Sequence, residues 1–357
     1  MPATDCQNSS AFANLGRSIL SFRRDQIHSM ESPPQEVRAA RHTELEAFQR
    51  QVAERFLDLS SPEAGDGDQL LSLSWVRRLL DAFLCCQEEF RVVLLNHRGA
   101  VARAPMDRLV GELFERSLKA LDVCNAIRDG IQRVRQWQRL LEIVACALNG
   151  RESVGEGQFR RARKALADLS VAMLDDRGPS VGPAISQRNR SFGRSKDHRS
   201  SSGHSRSLSW SVSRSWSAAR QIQAIGSNLA APRPAEIAAT GGLAPAVFTM
   251  NAVLFFVMWA LVAAVPCQDR GGLQAHLSVP RQFGWVAPVL SLHERISEES
   301  RKRDRRSSPG LLAEIHRVER FARRMNEVAD TVCFPLTGEE EEEVRRGGEE
   351  AGRILEI

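Results

Sequence analysis

Apolar residues recur at steps of three and four along the first half of the chain, the spacing that gathers side chains on one face of an α-helix. Thr43 followed by Glu46 is a capping box, which predicts that the first helix starts at Thr43. Pro62 predicts where this helix ends. The apolar stripe between these signals is Leu45, Phe48, Val52, Phe56 and Leu59.

Four further amphipathic stretches are predicted to be helices. The second helix covers Asp68–Leu95, and Pro105, whose missing N–H costs nothing at a first helical position, opens the third. Gly130 separates the third helix from a fourth, and the fifth covers Phe159–Met173. No strand-length run alternates with period two. Because such stripes must be buried against one another, the fold class is predicted to be all-α, with a helical bundle over residues 43–177.

One long segment, Leu243–Val265, contains no charged residue. Pro245 and Pro266 leave 20 residues between them, enough for a helix of about 30 Å, which matches the hydrocarbon core of a bilayer. The eleven Leu, Phe and Val residues of the segment contribute about −5 kcal/mol on a membrane-insertion scale. The segment is therefore a candidate transmembrane helix. The residues taken to mark it are Leu243, Phe248, Phe255, Phe256, Trp259 and Val265.

The same composition is typical of a helix that a protein bundle encloses on all sides. Arg and Lys flank the segment on both sides, nine in residues 178–242 and eight in residues 266–306, so the positive-inside rule gives no orientation. Two interpretations stay open. The first is a single-pass membrane protein with a cytosolic helical domain. The second is a soluble, cytoplasmic helical signalling scaffold in which the apolar helix is buried in the bundle.

A serine-rich stretch, residues 178–220, precedes the apolar segment and has fourteen serines in 43 residues. Nine Arg or Lys and one acid in residues 178–234 predict a disordered basic linker. Its positive charge suits anionic lipid headgroups, nucleic acid or an acidic protein, and charge alone does not choose among them. Three serines lie three residues after an Arg, the spacing that basophilic kinases read, and phosphate there would cancel the positive charge. These phosphorylation candidates are Ser191, Ser209 and Ser217. Arg-Ser dipeptides are too few for an RNA-binding tail, so nucleic acid is not an expected partner.

Apolar residues after Ser308 and Pro309 follow alternating steps of four and three over three heptads, which is typical of a coiled-coil seam. The partner of this seam is either another helix of the same chain or a second protein. The run Glu339–Glu343 follows, and the residues after it include too few apolar side chains for another full layer. The partner-helix seam is Leu311, Ile315, Val318, Met325 and Val332.

The 357 residues carry a net charge of +5, and 42% of them are apolar, which excludes a wholly disordered chain. No phosphate-binding glycine loop, nucleophile elbow or paired-histidine spacing occurs, and the seven cysteines include no C-x-x-C. We therefore expect no enzyme, metal, cofactor or small-molecule substrate.

The predicted segments are a flexible N-terminal region with a weak amphipathic patch at Phe12–Phe22 (1–42), the bundle (43–177), the linker (178–220), a short helix and connector (221–242), the apolar helix (243–265), C-terminal helices (266–335) and an acidic tail (336–357).

Several long stretches of the chain are idiosyncratic enough to carry a family resemblance. Among them are FQRQVAERF at 48–56 and SLSWSVSRSWSA at 207–218. The others are residues 78–95, 120–148 and 266–283. Through these stretches nearly the whole chain resembles the plant ROH family, which is related to the BYPASS-type proteins.

The resemblance implies a non-catalytic plant protein with a single membrane span at Leu243–Val265. It also implies an association with the exocyst, through its large rod-shaped subunits, and with polarised secretion such as seed-coat mucilage deposition. Family members continue past the glutamate run with further amphipathic helix, whereas this chain has a Gly-rich stretch there and ends at Ile357. The heptad helix is therefore expected to lack part of its packing surface.

Overall fold

The computed structural model describes residues 35–61, 69–149, 154–174, 217–227, 229–267, 279–304 and 310–356. Regular structure in these residues consists of eleven helices and no strand, so the all-α prediction is confirmed. In chain order the helices are α1 Gln35–Ser60, α2 Leu73–Asn96, α3 Arg98–Val101, α4 Met106–Leu148, α5 Glu156–Leu174, α6 Ala218–Gly226, α7 Pro234–Ala239, α8 Ala244–Ala264, α9 Val286–Asp304, α10 Ala313–Thr331 and α11 Gly338–Leu355.

The apolar segment forms α8, and α8 lies at the centre of the main core. Helices α1, α2, α4, α6, α7 and α9 all pack against it. Every residue of α8 except Pro245 is buried. Among the described residues α8 is the one helix that is long and apolar enough to cross a membrane, and protein surrounds it over its whole length. A position enclosed on all sides requires a helix that is apolar on all sides.

Helix α4 is a single helix of 43 residues, where the sequence pattern predicted two helices separated at Gly130. Gly130 lies where α4 crosses the end of α8. A Cβ at this position would be 2.6 Å from Cγ1 of Val265 and 2.8 Å from the carbonyl oxygen of Pro266. The glycine therefore allows two helices to approach closely and does not interrupt α4. At about 1.5 Å per residue, α4 is long enough to join the main core to a second one.

The second core lies at the C-terminal part of α4, where α5 and α11 pack on α4 and α10 packs on α5 and α11. Its side chains are mostly Leu, Val and Phe, with Met325 between α10 and α11. The large buried residues of this core are Leu141, Val144, Leu148, Phe159, Leu166, Phe321, Met325 and Val344.

The first helix begins earlier than the sequence predicted. Helix α1 starts at Gln35, so Thr43 lies inside it, and the Thr43 hydroxyl donates to the carbonyl oxygen of Ala39 at 3.1 Å. The predicted capping box is wrong because the preceding residues include Glu, Ala and Arg, which are strong helix formers that extend the helix past a favourable cap.

The C-terminal segment, which the sequence predicted to be an acidic tail, is helix α11. A capping box starts it, in which Thr337 and Glu340 satisfy each other's backbone N–H groups. Gly347 and Gly348 are buried, and a Cβ at Gly348 would be 2.8 Å from Cβ of Leu148. Small residues thus let α11 approach α4 and α10 closely, and α11 supplies the packing surface that the heptad helix was expected to lack. The prediction counted large apolar side chains alone and therefore missed this layer.

Candidate functional site

Two polar side chains interrupt the apolar surface of α8, and the first of them, Thr249, is bound by α1. The side-chain nitrogen of Gln49 donates to the Thr249 hydroxyl at 2.8 Å. The side-chain oxygen of Gln49 accepts from the indole N–H of Trp285, just before α9, also at 2.8 Å. One glutamine therefore joins three parts of the chain around the enclosed helix and satisfies a hydroxyl that is fully buried.

The second polar side chain, Asn251, is bound by α4. The guanidinium of Arg116 donates to the side-chain oxygen of Asn251 at 3.2 Å, and Asn251 donates to the carbonyl oxygen of Val247 at 3.0 Å. Arg116 is itself buried, with the carboxylate of Glu112 at 3.7 Å. A buried guanidinium is costly unless it is paired and hydrogen-bonded. The Glu112 carboxylate and the Asn251 side chain supply these partners for Arg116, whereas lipid tails contain no group that could.

Aromatic contacts fix the second half of α8 in the bundle. Trp259 stacks on the imidazole of His293 from α9, with 4.1 Å between ring centres and 24° between planes. Phe256 meets Phe56 of α1 edge to face at 5.7 Å. Such pairs add to the energy of burial because the ring edge and the ring face carry opposite partial charges.

All residues that marked the candidate span lie inside the protein, each with at most 6% of its surface exposed. Length and composition do not distinguish a membrane span from a core helix. Polar side chains that are hydrogen-bonded by neighbouring helices are typical of a core helix. These residues are Leu243, Phe248, Phe255, Phe256, Trp259 and Val265.

The predicted partner-helix seam faces other helices of this chain. Ile315 and Met325 are buried on α10, which packs against α5 and α11. Val318 is half-buried and contacts both cores. Leu311 and Val332 flank the helix and are buried as well. An exposed seam for a second protein is therefore not found at these positions.

Of the three phosphorylation candidates, Ser191 and Ser209 lie outside the described residues. Ser217 is the N-cap of α6, and its hydroxyl accepts from the backbone N–H of Arg220 at 3.2 Å. Because the start of a helix favours negative charge, a phosphate on Ser217 would be stabilised there.

We expect the Ser217 cap to contribute measurably to stability. Replacing Ser217 with Ala leaves an N–H of α6 without its acceptor, so we expect the free energy of unfolding to fall by about 1 kcal/mol. Ser217→Asp keeps an acceptor and should stay close to the wild type. Urea denaturation followed by circular dichroism measures both variants. Equal stability of the wild type and the Ala variant would contradict the capping role.

The vicinal thiols on α2 differ in environment. Cys85 is exposed, whereas Cys86 is buried beside Arg55, and burial raises the pKa of the Cys86 thiol to about 12. At pH 8 only about one Cys86 in ten thousand is a thiolate. We therefore expect iodoacetamide to alkylate Cys85 and spare Cys86 in the folded protein, and to alkylate both in denaturant. Peptide mass spectrometry measures this, and equal labelling of both in the folded protein would show that the pair is not placed as described.

A surface that the sequence analysis missed runs along α2. The amphipathic pattern accounts for the buried face of α2, but five other apolar side chains of α2 point to solvent, each at least 36% exposed. Most of them recur at steps of seven, four and eleven residues, so a search for a second apolar stripe on the same helix would have found them. We name this surface the α2 ridge. It consists of Leu73, Leu80, Leu84, Val92 and Leu95.

Catalytic chemistry has little support in the described ranges. No group of three His, Cys, Asp or Glu side chains there is placed to hold a metal ion. A shallow depression lies at the start of α11, and Glu339, Glu343 and Arg346 are among the residues that line it. The side chains of this depression are solvent-facing charges, which is the usual state of a glutamate run.

Comparison with known proteins places the chain in a plant group. The family model described as "Protein ROH1-like" matches residues 1–357. Protein ROH1D of Arabidopsis thaliana is 55% identical over 100% of this chain and 90% of its own length. Protein ROH1A of the same plant is 38% identical over 94% of this chain and 84% of its own length. UPF0496 protein 4 of Oryza sativa subsp. japonica is 24% identical over 76% of this chain and 51% of its own length.

No solved structure matches the chain. The fold and the relatives together define a plant helical-bundle protein whose described part is built around one enclosed apolar helix. The chain belongs to the ROH1-like family, as the sequence resemblance implied.

Proposed function

We propose that this chain is a non-catalytic adaptor that binds exocyst subunits during polarised secretion in plants, for example in seed-coat mucilage deposition. Family membership supports the proposal, because the sequence resemblance implies this partner. The all-helical fold supports it too, since the described residues hold no cluster suited to metal chemistry and no motif for phosphate or acyl transfer.

The observation that carries the adaptor function is the α2 ridge. Leucines on a rigid helix that no other described helix covers are typical of a protein-binding surface. The ridge is about 33 Å long, from Leu73 to Leu95, which suits a helix of a rod-shaped subunit lying along it. The predicted seam on α10 is less suited, because helices of this chain already cover it.

Binding to a purified rod-shaped exocyst subunit tests the proposal. The double substitution Leu80→Asp/Leu84→Asp places two charges in the ridge, and we expect affinity to fall by about 30-fold or more. The matched control is Leu118→Asp/Leu121→Asp, which changes two leucines of α4 that are 64% and 50% exposed. The control should bind as the wild type does. Equal binding of the ridge variant and the wild type would remove the ridge from the proposed interface.

For localisation we propose a cytosolic adaptor that meets the membrane at its surface, through its partner and through the basic linker. A single-pass protein with a span at Leu243–Val265 is the competing hypothesis. A span would have to remove α8 from six helices and separate Asn251 from Arg116. Alkaline carbonate washing of membranes distinguishes the two, because it should release a surface-bound adaptor and leave a spanning protein in the pellet.

A further inference from the structure

We propose that the solvent face of α4 is a membrane-contact surface, on which two leucines enter the headgroup region of a bilayer and three arginines bind anionic lipid headgroups. The inference rests on the proposed surface localisation and deepens it, because it names residues of the folded bundle that touch the membrane. It does not depend on the exocyst partner. We name this surface the α4 stripe. It consists of Leu118, Leu121, Arg128, Arg135 and Arg139.

The α4 stripe is one straight line along the helix. From Leu118 to Arg139 the positions follow alternating steps of three and four, with Asn125 and Gln132 in the two remaining places. All of these residues are exposed, whereas other faces of α4 pack on α5, α6, α8 and α11. At about 1.5 Å per residue the line is about 32 Å long. A bilayer surface can therefore contact the whole line at once.

The apolar end of the stripe is open to water. Leu118 is 64% exposed, more than any other large apolar side chain of the described residues, and Leu121 is 50% exposed. A helix face that combines leucines with arginines is typical of helices that lie in the headgroup region of a membrane. Contact with the bilayer would take both leucines out of water, and the rest of the helix would stay in the bundle.

The basic end of the stripe carries positive charge that the bundle leaves largely unpaired. Arg128 contacts Asp129 at 3.4 Å. Arg135 and Arg139 form no ion pair with any described residue. Residues 118–139 include five basic and two acidic side chains, so this part of α4 has a net positive charge. Anionic headgroups attract such a surface, and a guanidinium binds phosphate oxygens through two N–H groups.

The connectivity of the chain supports a membrane as the occupant. Helix α5 ends at Leu174, α6 begins at Ala218, and both pack against α4. The basic stretch that joins them in the sequence, most of which lies outside the described residues, is therefore attached to neighbours of α4 at both ends. Nucleic acid would bind the arginines but has no need of exposed leucines, so the combination on the stripe favours a lipid surface.

Binding of the purified full-length protein to lipid vesicles in detergent-free buffer tests the inference. The vesicles are phosphatidylcholine with about 30% phosphatidylserine, and we expect the wild type to bind them at least about tenfold more tightly than pure phosphatidylcholine. Leu118→Asp/Leu121→Asp should weaken binding to the anionic vesicles by at least about tenfold. Arg128→Gln/Arg135→Gln/Arg139→Gln should do the same. Co-sedimentation over a range of lipid concentrations measures the affinities.

Two control variants make matched changes away from the α4 stripe. Leu80→Asp/Leu84→Asp adds the same two charges to the α2 ridge. Arg50→Gln/Arg301→Gln/Lys302→Gln removes three exposed cations from α1 and α9, which do not pack against α4. Both controls should bind the vesicles within about twofold of the wild type, because salt screens charges that do not reach the lipid surface.

Equal vesicle binding of the stripe variants and their controls would overturn the inference, and so would a wild type that does not prefer anionic vesicles. Loss of binding in the arginine variant alone would indicate a surface for any polyanion, such as nucleic acid, and would overturn it too. The vesicles contain no exocyst subunit. Failure of the vesicle assay therefore leaves the proposed exocyst contact on the α2 ridge standing, and failure of the exocyst assay leaves the α4 stripe standing.

Discussion

Phe256→Asp is expected to prevent folding of the bundle. Phe256 is fully buried at the centre of α8 and packs edge to face on Phe56. Loss of a buried Phe costs about 3–5 kcal/mol, and a carboxylate in the same place adds several more. The sum reaches the whole stability of an ordinary domain, about 5–15 kcal/mol.

The measurement is the helical circular dichroism signal and the protease resistance of the protein in detergent-free buffer. The control, Leu118→Asp on the solvent face of α4, should change the free energy of unfolding by no more than about 0.5 kcal/mol. A membrane span responds differently. An acid at the centre of a span makes the free energy of membrane insertion less favourable by about 2.5–3.5 kcal/mol. It leaves a separate cytosolic domain folded. A Phe256→Asp protein with wild-type helicity and protease resistance would therefore contradict the enclosed position of α8.

Sequence patterns predicted the local structure well wherever one large apolar stripe decides it. The stripe from Leu45 to Leu59 is buried on α1, and that of α10 is buried too. Patterns were insufficient where small residues mediate packing. Gly130 was predicted to be a break and the pair Gly347–Gly348 to be part of a Gly-rich tail, yet all three are contact points between helices. A glycine signals a break or a close approach, and the contacts of distant segments decide between them.

Local sequence patterns were also insufficient to predict the environment of the apolar helix. Leu243–Val265 has the composition that both lipid and a protein interior favour. The distinguishing information lies in Gln49 and Arg116, which are 200 and 135 residues away from the polar side chains of α8 that they bind. No local pattern pairs residues over such distances. The α2 ridge was missed for another reason. One apolar stripe already explained how α2 is buried, so the second stripe on the same helix was left without a role.

Gly130 also provides a sharp test of the enclosed helix, because α4 contains a second glycine for comparison. Gly111 is exposed, and a Cβ there would meet nothing within 4 Å. Gly111→Ala should therefore raise the free energy of unfolding by about 1 kcal/mol, which is the difference in helix propensity between the two residues.

Gly130→Ala gains the same propensity but forces its Cβ into Val265 and the backbone carbonyl of Pro266. The carbonyl cannot move without shifting the end of α8, so we expect a net loss of about 1–3 kcal/mol and a difference of about 2–4 kcal/mol between the two variants. Urea denaturation of both proteins in detergent-free buffer measures the difference. If α8 left the bundle for a membrane, position 130 would have no such neighbours. Both substitutions would then stabilise the remaining helices equally.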